Sequence, residues 1–272
     1  MFDARVAGPE DGEVVFLLHG FPETSYEWRH QLPALARAGF RAIAPDQRGY
    51  SPRARPPDVS DYAVLKLAND VLAMADAVGA KQFHVVGHDW GSAVAWVVAG
   101  IAPDRVLSAM PMSVPHPDAF EVVLNDKSSC QYTASSYFDF FTTPGATDFF
   151  VQNGSAGLRS TYDGVPASDV DVYVAALDRA AIDSGLDWYR ANVANRNLNA
   201  PKLGQIKVPT TFVWSDKDTF LCRDGADLTA SYVDGPYELD VIPGVNHWIA
   251  DNASDQLNTL LLAHLAKYRK QK

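Results

Sequence analysis

The sequence predicts an α/β fold in which a mostly parallel, doubly wound sheet carries an inserted helical cap. Short apolar runs alternate with helical patterns in the first half, convincing strands are missing from the middle third, and strand-like runs resume near the end. Such alternation is typical of a parallel sheet covered by helices on both faces. We expect a core at 1–116 and 208–272. The interruption at 117–207 is then the cap, with aromatic-rich helical pieces at 137–141 and 169–181.

Six apolar runs in the expected core have the length and composition of buried strands. They are 14–18, 40–44, 83–86, 106–112, 208–214 and 237–242. Between the second and third runs, apolar residues recur at helical spacing from Val64 to Val78 and stop at Gly79, a suitable residue to end a helix. A second helix should begin at Trp90, and an amphipathic helix with a basic last turn should close the chain.

The charge balance and the cysteines limit the classes of function. The 272 residues include 33 acidic and 23 basic ones, for a formal net charge of −10. Such a chain repels phosphate backbones and anionic lipid, so we expect neither nucleic acid nor a membrane as partner. Cys130 and Cys222 have no paired spacing and are expected to be isolated thiols. Together with the absence of a signal-peptide pattern at 1–12 and of a long apolar run, this favours the cytoplasm. The oligomeric state stays open, a homodimer included.

The segment GHDWG at 87–91 lies between a predicted strand and a predicted helix. A Gly-x-Asp-x-Gly pattern at such a turn matches the nucleophile elbow of α/β-hydrolases, with Asp89 in place of the usual serine. The glycines permit the tight turn. A carboxylate can displace a leaving group at a saturated carbon and form an alkyl ester, but it is poorly suited to opening an amide or an ester. Asp89 is therefore our candidate nucleophile.

An acid and a histidine should follow the nucleophile in the chain, as they do in that fold. Asp216 and Asp218 stand behind a late predicted strand, and His247 lies near the C-terminus. His247 would draw a proton from water, while the acid fixes its tautomer and stabilises the imidazolium. Of the two acids we favour Asp218.

The segment HGFPE at 19–23 follows the first clear strand and can turn backbone N–H groups toward the nucleophile. The N–H groups of Phe21 and Trp90 would then form an oxyanion hole. We expect His19 to be structural. Glu23 either helps to position water or is a solvated or capping residue.

These motifs together resemble those of α/β-hydrolase-fold epoxide hydrolases, and haloalkane dehalogenases share much of the same core. The resemblance spans nearly the whole chain, from about residue 13 to the last helix. It is carried by the segments at 19–23, 87–91, 216–218 and 246–248. It implies that the second aspartate of the third segment, Asp218, is the acid, and that the enzyme needs no cofactor and no metal.

The fate of the leaving oxygen distinguishes these two activities. An opened epoxide leaves an alkoxide whose conjugate acid has a pKa near that of water, about 15.7, whereas a halide departs as a stable anion. A phenol of pKa about 10 can neutralise the alkoxide, with a gain of roughly 8 kcal/mol. Tyr137 and Tyr189 stand in contexts similar to the two cap tyrosines of the family, with Tyr132 in reserve. Phe138 and Asp187 depart from the family pattern. The first bears on substrate shape, and the second adds a carboxylate.

The resemblance implies that an epoxide and water are the substrates and that a vicinal diol is the product. An ester on Asp89 would form first, and water activated by His247 would then cleave it. A haloalkane dehalogenase with the same triad is the alternative, although Phe21 and Trp90 depart from the residues that many of those enzymes carry. A ligand receptor without activity is disfavoured because no catalytic group is missing. His116 is expected to be a loop residue or to line the cap entrance.

Overall fold

A computed structural model describes residues 1–194 and 197–270, and its framework is a twisted sheet. In chain order the strands are β1 (Ala4–Ala7), β2 (Glu13–Leu18), β3 (Phe40–Pro45), β4 (Phe83–His88), β5 (Val106–Met112), β6 (Val193–Ala194), β7 (Asn197–Leu198), β8 (Thr210–Ser215) and β9 (Tyr237–Ile242). Strands β6 and β7 pair with each other. The other seven form a sheet in the order β1-β3-β2-β4-β5-β8-β9, parallel except for β1.

The six predicted core strands are all present, and the central ones are buried on both faces of the sheet, whereas the edge strand β9 is partly exposed. In β2, for example, Val14, Phe16 and Leu18 pack into one core, while Val15 and Leu17 pack into the core on the opposite face. Alternate residues of a strand point to opposite faces, so a strand covered on both sides is apolar throughout. Strand β1 was not predicted because it is an exposed edge strand without an apolar run.

Helices cover both faces of this sheet. They are α1 (Gln31–Arg37), α2 (Val64–Ala77), α3 (Trp90–Ile101), α4 (Pro117–Asn125), α5 (Cys130–Ala134), α6 (Tyr137–Phe141), α7 (Ala146–Arg159), α8 (Ala167–Ala176), α9 (Arg179–Asn192), α10 (Arg223–Thr229), α11 (Ile249–Asn252) and α12 (Ser254–Lys267). Helices α2 and α3 contribute to one core, and α1 and α12 to the other. Within the described ranges, no helix is both long enough and apolar enough to cross a bilayer.

Helices α4 to α9 occupy the chain between β5 and β8, where a cap is expected. The piece predicted at 169–181 is two helices, because the Asp178 side chain accepts a hydrogen bond from the Ala181 N–H at 2.7 Å and caps the start of α9. The prediction that this region lacks strands misses the short pair β6 and β7.

The expectation of isolated thiols is wrong, because Cys130 and Cys222 form a disulfide across 92 residues of sequence. Cys130 begins α5 in the helical insertion, and Cys222 immediately precedes α10 in the core. The sequence could not predict the pair, because spacing along the chain says nothing about two segments that meet only through tertiary packing.

Candidate active site

Asp89 lies on a sharp turn between β4 and α3, at the carboxyl end of the parallel sheet. Its backbone has φ 51° and ψ −122°, a left-handed conformation that is strained for a residue with a side chain. The turn packs tightly on β2, since a Cβ at Gly91 would lie 2.0 Å from the Leu18 carbonyl oxygen. This strand–turn–helix geometry is that of a nucleophile elbow, and it presents the carboxylate above the sheet.

The segment at 19–23 reaches the Asp89 carboxylate directly. The Phe21 N–H donates a hydrogen bond to Asp89 Oδ1 at 3.0 Å. This approach requires glycine at position 20, because a Cβ there would lie 2.4 Å from the Asp89 Cβ. Trp90, the other residue predicted for the oxyanion hole, begins α3 immediately after Asp89.

His247 lies between Asp89 and Asp218. Its Nε2 is 3.5 Å from Asp89 Oδ2, and its Nδ1 is 2.8 Å from Asp218 Oδ2. The backbone N–H groups of Phe220 and Leu221 donate to the other oxygen of Asp218, at 2.8 and 3.0 Å. The three predicted residues are therefore arranged as in a catalytic triad, with the histidine between the candidate nucleophile and the acid.

The neighbouring acid, Asp216, has a different role. Its Oδ1 accepts a hydrogen bond from the Gly244 N–H at 2.6 Å, and the residue is exposed. Of the two acids left open by the chain order, it is Asp218 that contacts the imidazole of His247.

Charges within the triad set its protonation. Burial raises the pKa of Asp89, but the hydrogen bond and charge of His247 outweigh burial, so the pKa is lowered and the carboxylate stays ionised. For His247, burial lowers the pKa, but the charge and hydrogen bond of Asp218 and the hydrogen bond to Asp89 raise it to about 9. In the free protein Asp89 is thus an anion that faces a cationic imidazole.

Tyr137 and Tyr189 stand across the cavity from this carboxylate. Tyr137 begins α6 and Tyr189 lies in α9, and their ring centroids are 6.3 Å apart. Burial and the charge of Asp89 raise the pKa of each hydroxyl well above its ordinary value. Both phenols therefore keep their protons at neutral pH and can donate hydrogen bonds to a group bound near Asp89.

Two cavities meet at Asp89, and both tyrosines line each of them. The first extends over α3 toward α9 and is almost wholly apolar. Its lining includes Val64, Ala93, Val97, Phe120, Leu198 and Leu221. Its one amide, Asn192, is already occupied by hydrogen bonds to Val64, Tyr62 and Trp188. The second cavity lies beside His247 and is lined mainly by Phe21, Phe141, Phe220 and Trp248.

Comparison with known proteins agrees with this geometry. Residues 13–253 match the model of the α/β hydrolase fold. The chain belongs to the α/β-hydrolase family. Within this family it is 31% identical to epoxide hydrolase A of Mycobacterium tuberculosis, covering 95% of this chain and 92% of that protein. It is also 31% identical to epoxide hydrolase 1 of Siraitia grosvenorii, covering 97% of this chain and 95% of that protein.

Solved structures that are similar to this α/β-hydrolase also include epoxide hydrolases. An epoxide hydrolase from metagenomes of hot environments superposes with a TM-score of 0.87 at 30% identity, covering 97% of this chain and 94% of that chain. An epoxide hydrolase of Vigna radiata does so with a TM-score of 0.81 at 26% identity, covering 98% and 94%. These relatives do not favour the haloalkane dehalogenase alternative.

The remaining predicted residues of this α/β-hydrolase lie around the site. Phe138 lines the apolar cavity, whereas Tyr132 and His116 line neither of the two cavities described. Asp187 pairs with Arg190 at 2.8 Å, and the same guanidinium also pairs with Asp183 at 3.0 Å. His116 is buried and caps the start of α4.

His88 is a site residue that sequence reasoning missed. Its ring lies 4.6 Å from that of His247, and its Nε2 is 2.9 Å from the His247 carbonyl oxygen. Its Nδ1 lies 3.2 Å from Glu23 and 3.1 Å from Glu27. Burial lowers the pKa of His88, but the charges of both glutamates raise it well above its ordinary value. The only available signal was its place next to the nucleophile.

Glu23 is therefore neither solvated nor a simple cap, since it is buried beside His88. The other alternative, that it positions water, stays a prediction. His19 is buried, and its Nε2 accepts a hydrogen bond from the Gln47 N–H at 3.1 Å, as a structural residue would.

The chain offers one group of metal-ligand type within its described residues. The oxygen and nitrogen atoms of Glu23, Glu27 and His88 lie within 4.8 Å of one another. The imidazole of His88 is close to both carboxylates, and burial raises the pKa of Glu23 and of Glu27.

Proposed function

We propose that this protein hydrolyses epoxides to vicinal diols through a covalent ester on Asp89. The proposal is supported most by one observation: two protonated phenols face an ionised carboxylate across a cavity that is otherwise apolar. A carboxylate nucleophile opposite acidic hydroxyls is what ring opening of an epoxide requires. The names of the relatives point to the same activity.

In the first step, one oxygen of Asp89 attacks an epoxide carbon. The bond between that carbon and the ring oxygen breaks, and its electron pair moves to the oxygen. Tyr137 and Tyr189 hold this oxygen, and one of them gives it a proton. The charge of Asp89 raises the pKa of both phenols in the free protein, and this charge disappears as the ester forms. The phenols thus become stronger acids at the moment when the alkoxide needs a proton.

In the second step, His247 takes a proton from water, which attacks the Asp89 carbonyl carbon. Loss of the Asp89 charge removes one of the interactions that raise the pKa of His247, so the imidazolium gives up its proton, the phenolate left by the first step is protonated again, and the neutral imidazole acts as the base. The Phe21 N–H already donates to Asp89 Oδ1 and can stabilise the oxyanion, together with the Trp90 N–H. The tetrahedral intermediate then collapses: the bond between the Asp89 carboxyl carbon and the alkyl oxygen breaks, that oxygen takes the remaining proton of the attacking water, and the diol leaves with Asp89 ionised again.

The apolar cavity supports a substrate with a hydrocarbon substituent. Apart from Asp89 and the two tyrosines, the lining residues that the structure describes are mainly apolar, and the amide of Asn192 is already satisfied by hydrogen bonds. An alkyl or aryl epoxide suits this lining.

The test is His247→Gln incubated with styrene oxide and followed by intact-protein mass spectrometry. We expect an ester adduct to accumulate on Asp89, because alkylation needs the carboxylate and the tyrosines but hydrolysis needs the imidazole. Asp89→Asn is the control and should form no adduct. If the His247 variant stays unmodified and the wild type converts no member of a broad epoxide panel, the proposal is wrong.

A further inference from the structure

The loop that carries Asp218 is held by a side chain from the helical insertion. Gln131, in α5, is fully buried and bonds to two backbone groups of this loop. Its Nε2 donates to the Phe220 carbonyl oxygen at 2.8 Å, and its Oε1 accepts from the Cys222 N–H at 2.8 Å. Gln131 and Phe220 are 89 residues apart in the sequence, so the contact joins two distant segments.

The first of these bonds acts on the peptide group that orients Asp218. The Phe220 carbonyl and the Leu221 N–H belong to the same planar peptide unit. Gln131 holds the carbonyl side of that plane, and the N–H side donates to Asp218 Oδ1 at 3.0 Å. Rotation of this peptide would therefore break both hydrogen bonds together.

The next peptide unit is held in the same way. The Leu221 carbonyl accepts a hydrogen bond from the Trp214 indole at 2.9 Å, and the Cys222 N–H donates to Gln131. Two successive peptides are thus fixed by one side chain from the insertion and one from β8. The disulfide between Cys130, next to Gln131, and Cys222, next to Leu221, links α5 covalently to this loop.

We propose that Gln131 is a positioning residue for the acid of the triad. It acts through the peptide between Phe220 and Leu221 and has no contact with the reacting atoms. Gln131 should affect hydrolysis of the Asp89 ester, the second step, because Asp218 orients His247 and raises its pKa. This inference rests on the proposed function.

The first experiment is Gln131→Met, which keeps a side chain of similar length but removes both hydrogen bonds to the loop, together with the one that Gln131 Nε2 donates to Ser135 Oγ at 2.8 Å. We expect hydrolysis of the Asp89 ester to slow by about tenfold or more, because a misplaced acid leaves the imidazole poorly oriented. Formation of the ester should change less than threefold. A misplaced Asp218 raises the pKa of His247 less, so the pH midpoint of ester hydrolysis should move to lower pH. Quenched-flow mass spectrometry with styrene oxide measures both rates.

A matched control is Gln205→Met, the same substitution at an exposed glutamine. The Gln205 Nε2 also donates to a backbone carbonyl, that of Ser231, at 2.9 Å. This control should leave both rates and the pH midpoint unchanged. If Gln131→Met does not fold, Gln131→Glu replaces it, since its carboxylate can still accept from the Cys222 N–H while losing the donor to Phe220.

The decisive comparison combines the Gln131 substitution with Asp218→Asn. If Gln131 acts through the acid, the double variant should hydrolyse the ester at the same rate as Asp218→Asn alone. The inference would be overturned if the double variant hydrolysed the ester more slowly than Asp218→Asn by the same factor that the Gln131 substitution causes alone. It would also be overturned if the Gln131 substitution alone left the hydrolysis rate unchanged. Either result would leave the proposed function intact. Absence of any ester on Asp89 in the parent protein would overturn both.

Discussion

Removal of the disulfide between Cys130 and Cys222 should destabilise the protein by several kcal/mol. The bond closes a loop of 92 residues that contains most of the helical insertion. In the chain-entropy model, ΔS ≈ −2.1 − 1.5R ln n gives about −15.6 cal/mol/K for such a loop, or about 4.6 kcal/mol at 25 °C. The perturbation is the double variant Cys130→Ser/Cys222→Ser, which keeps the hydrogen bonds of Gln131.

Urea unfolding followed by tryptophan fluorescence measures this change. Without the cross-link the unfolded chain is less compact, so wild type with reductant and the double variant should have a steeper denaturant slope m and a lower urea midpoint than oxidised wild type. A loss of free energy of unfolding below about 1 kcal/mol would refute the entropic argument. Two free thiols in the unfolded, unreduced wild type would show that the bond itself is absent.

Three further predictions concern the site. Tyr137→Phe and Tyr189→Phe should each lower kcat/KM for styrene oxide about tenfold or more, and the double variant about a thousandfold, because one phenol can still donate when the other is gone. A double variant as active as either single one would contradict this. The pKa of His247 is raised from 6.5 to about 9, so its contribution to stability is complete below pH 6.5 and is lost as the pH rises through about 9. The urea midpoint of wild type should therefore fall more between pH 7 and 9.5 than that of His247→Gln. Equal falls in the two proteins would refute the raised pKa of His247. Gly20→Ala should abolish most activity because the new Cβ would lie 2.4 Å from that of the nucleophile, whereas Gly145→Ala, with nothing within 4 Å, should retain it. Equal diol formation by these two alanine variants would contradict the close packing.

Much of the fold was predictable because it depends on local patterns. Strands covered on both faces are largely apolar, and β2, β4 and β8 are such strands; polar side chains that they bury, such as His84 and Thr211, are hydrogen-bonded. The elbow was predictable for a related reason, since a strand–turn–helix of this tightness requires glycine around Asp89. Chain order then located His247 and narrowed the acid to two residues, and the resemblance favoured Asp218.

What the sequence could not predict depends on contacts between distant segments. The disulfide, the hydrogen bonds of Gln131 and the contact between the rings of His88 and His247 all arise from tertiary packing. No periodicity or short motif marks such residues, because each is an ordinary residue in its own segment. The break before α9 belongs to a different class, since the capping residue Asp178 could have been noticed in the sequence.

In the proposed reaction, the two cavities that meet at Asp89 would give the epoxide and the water separate places beside the carboxylate. A hydrocarbon tail threaded over α3 leaves open the space next to the imidazole, which lies on the other side of the carboxylate. Solvent could then reach the ester on Asp89 without first displacing the organic portion. Lengthening that tail should consequently change how tightly the compound is captured and how fast the ring opens, while the later release step proceeds at a nearly constant pace.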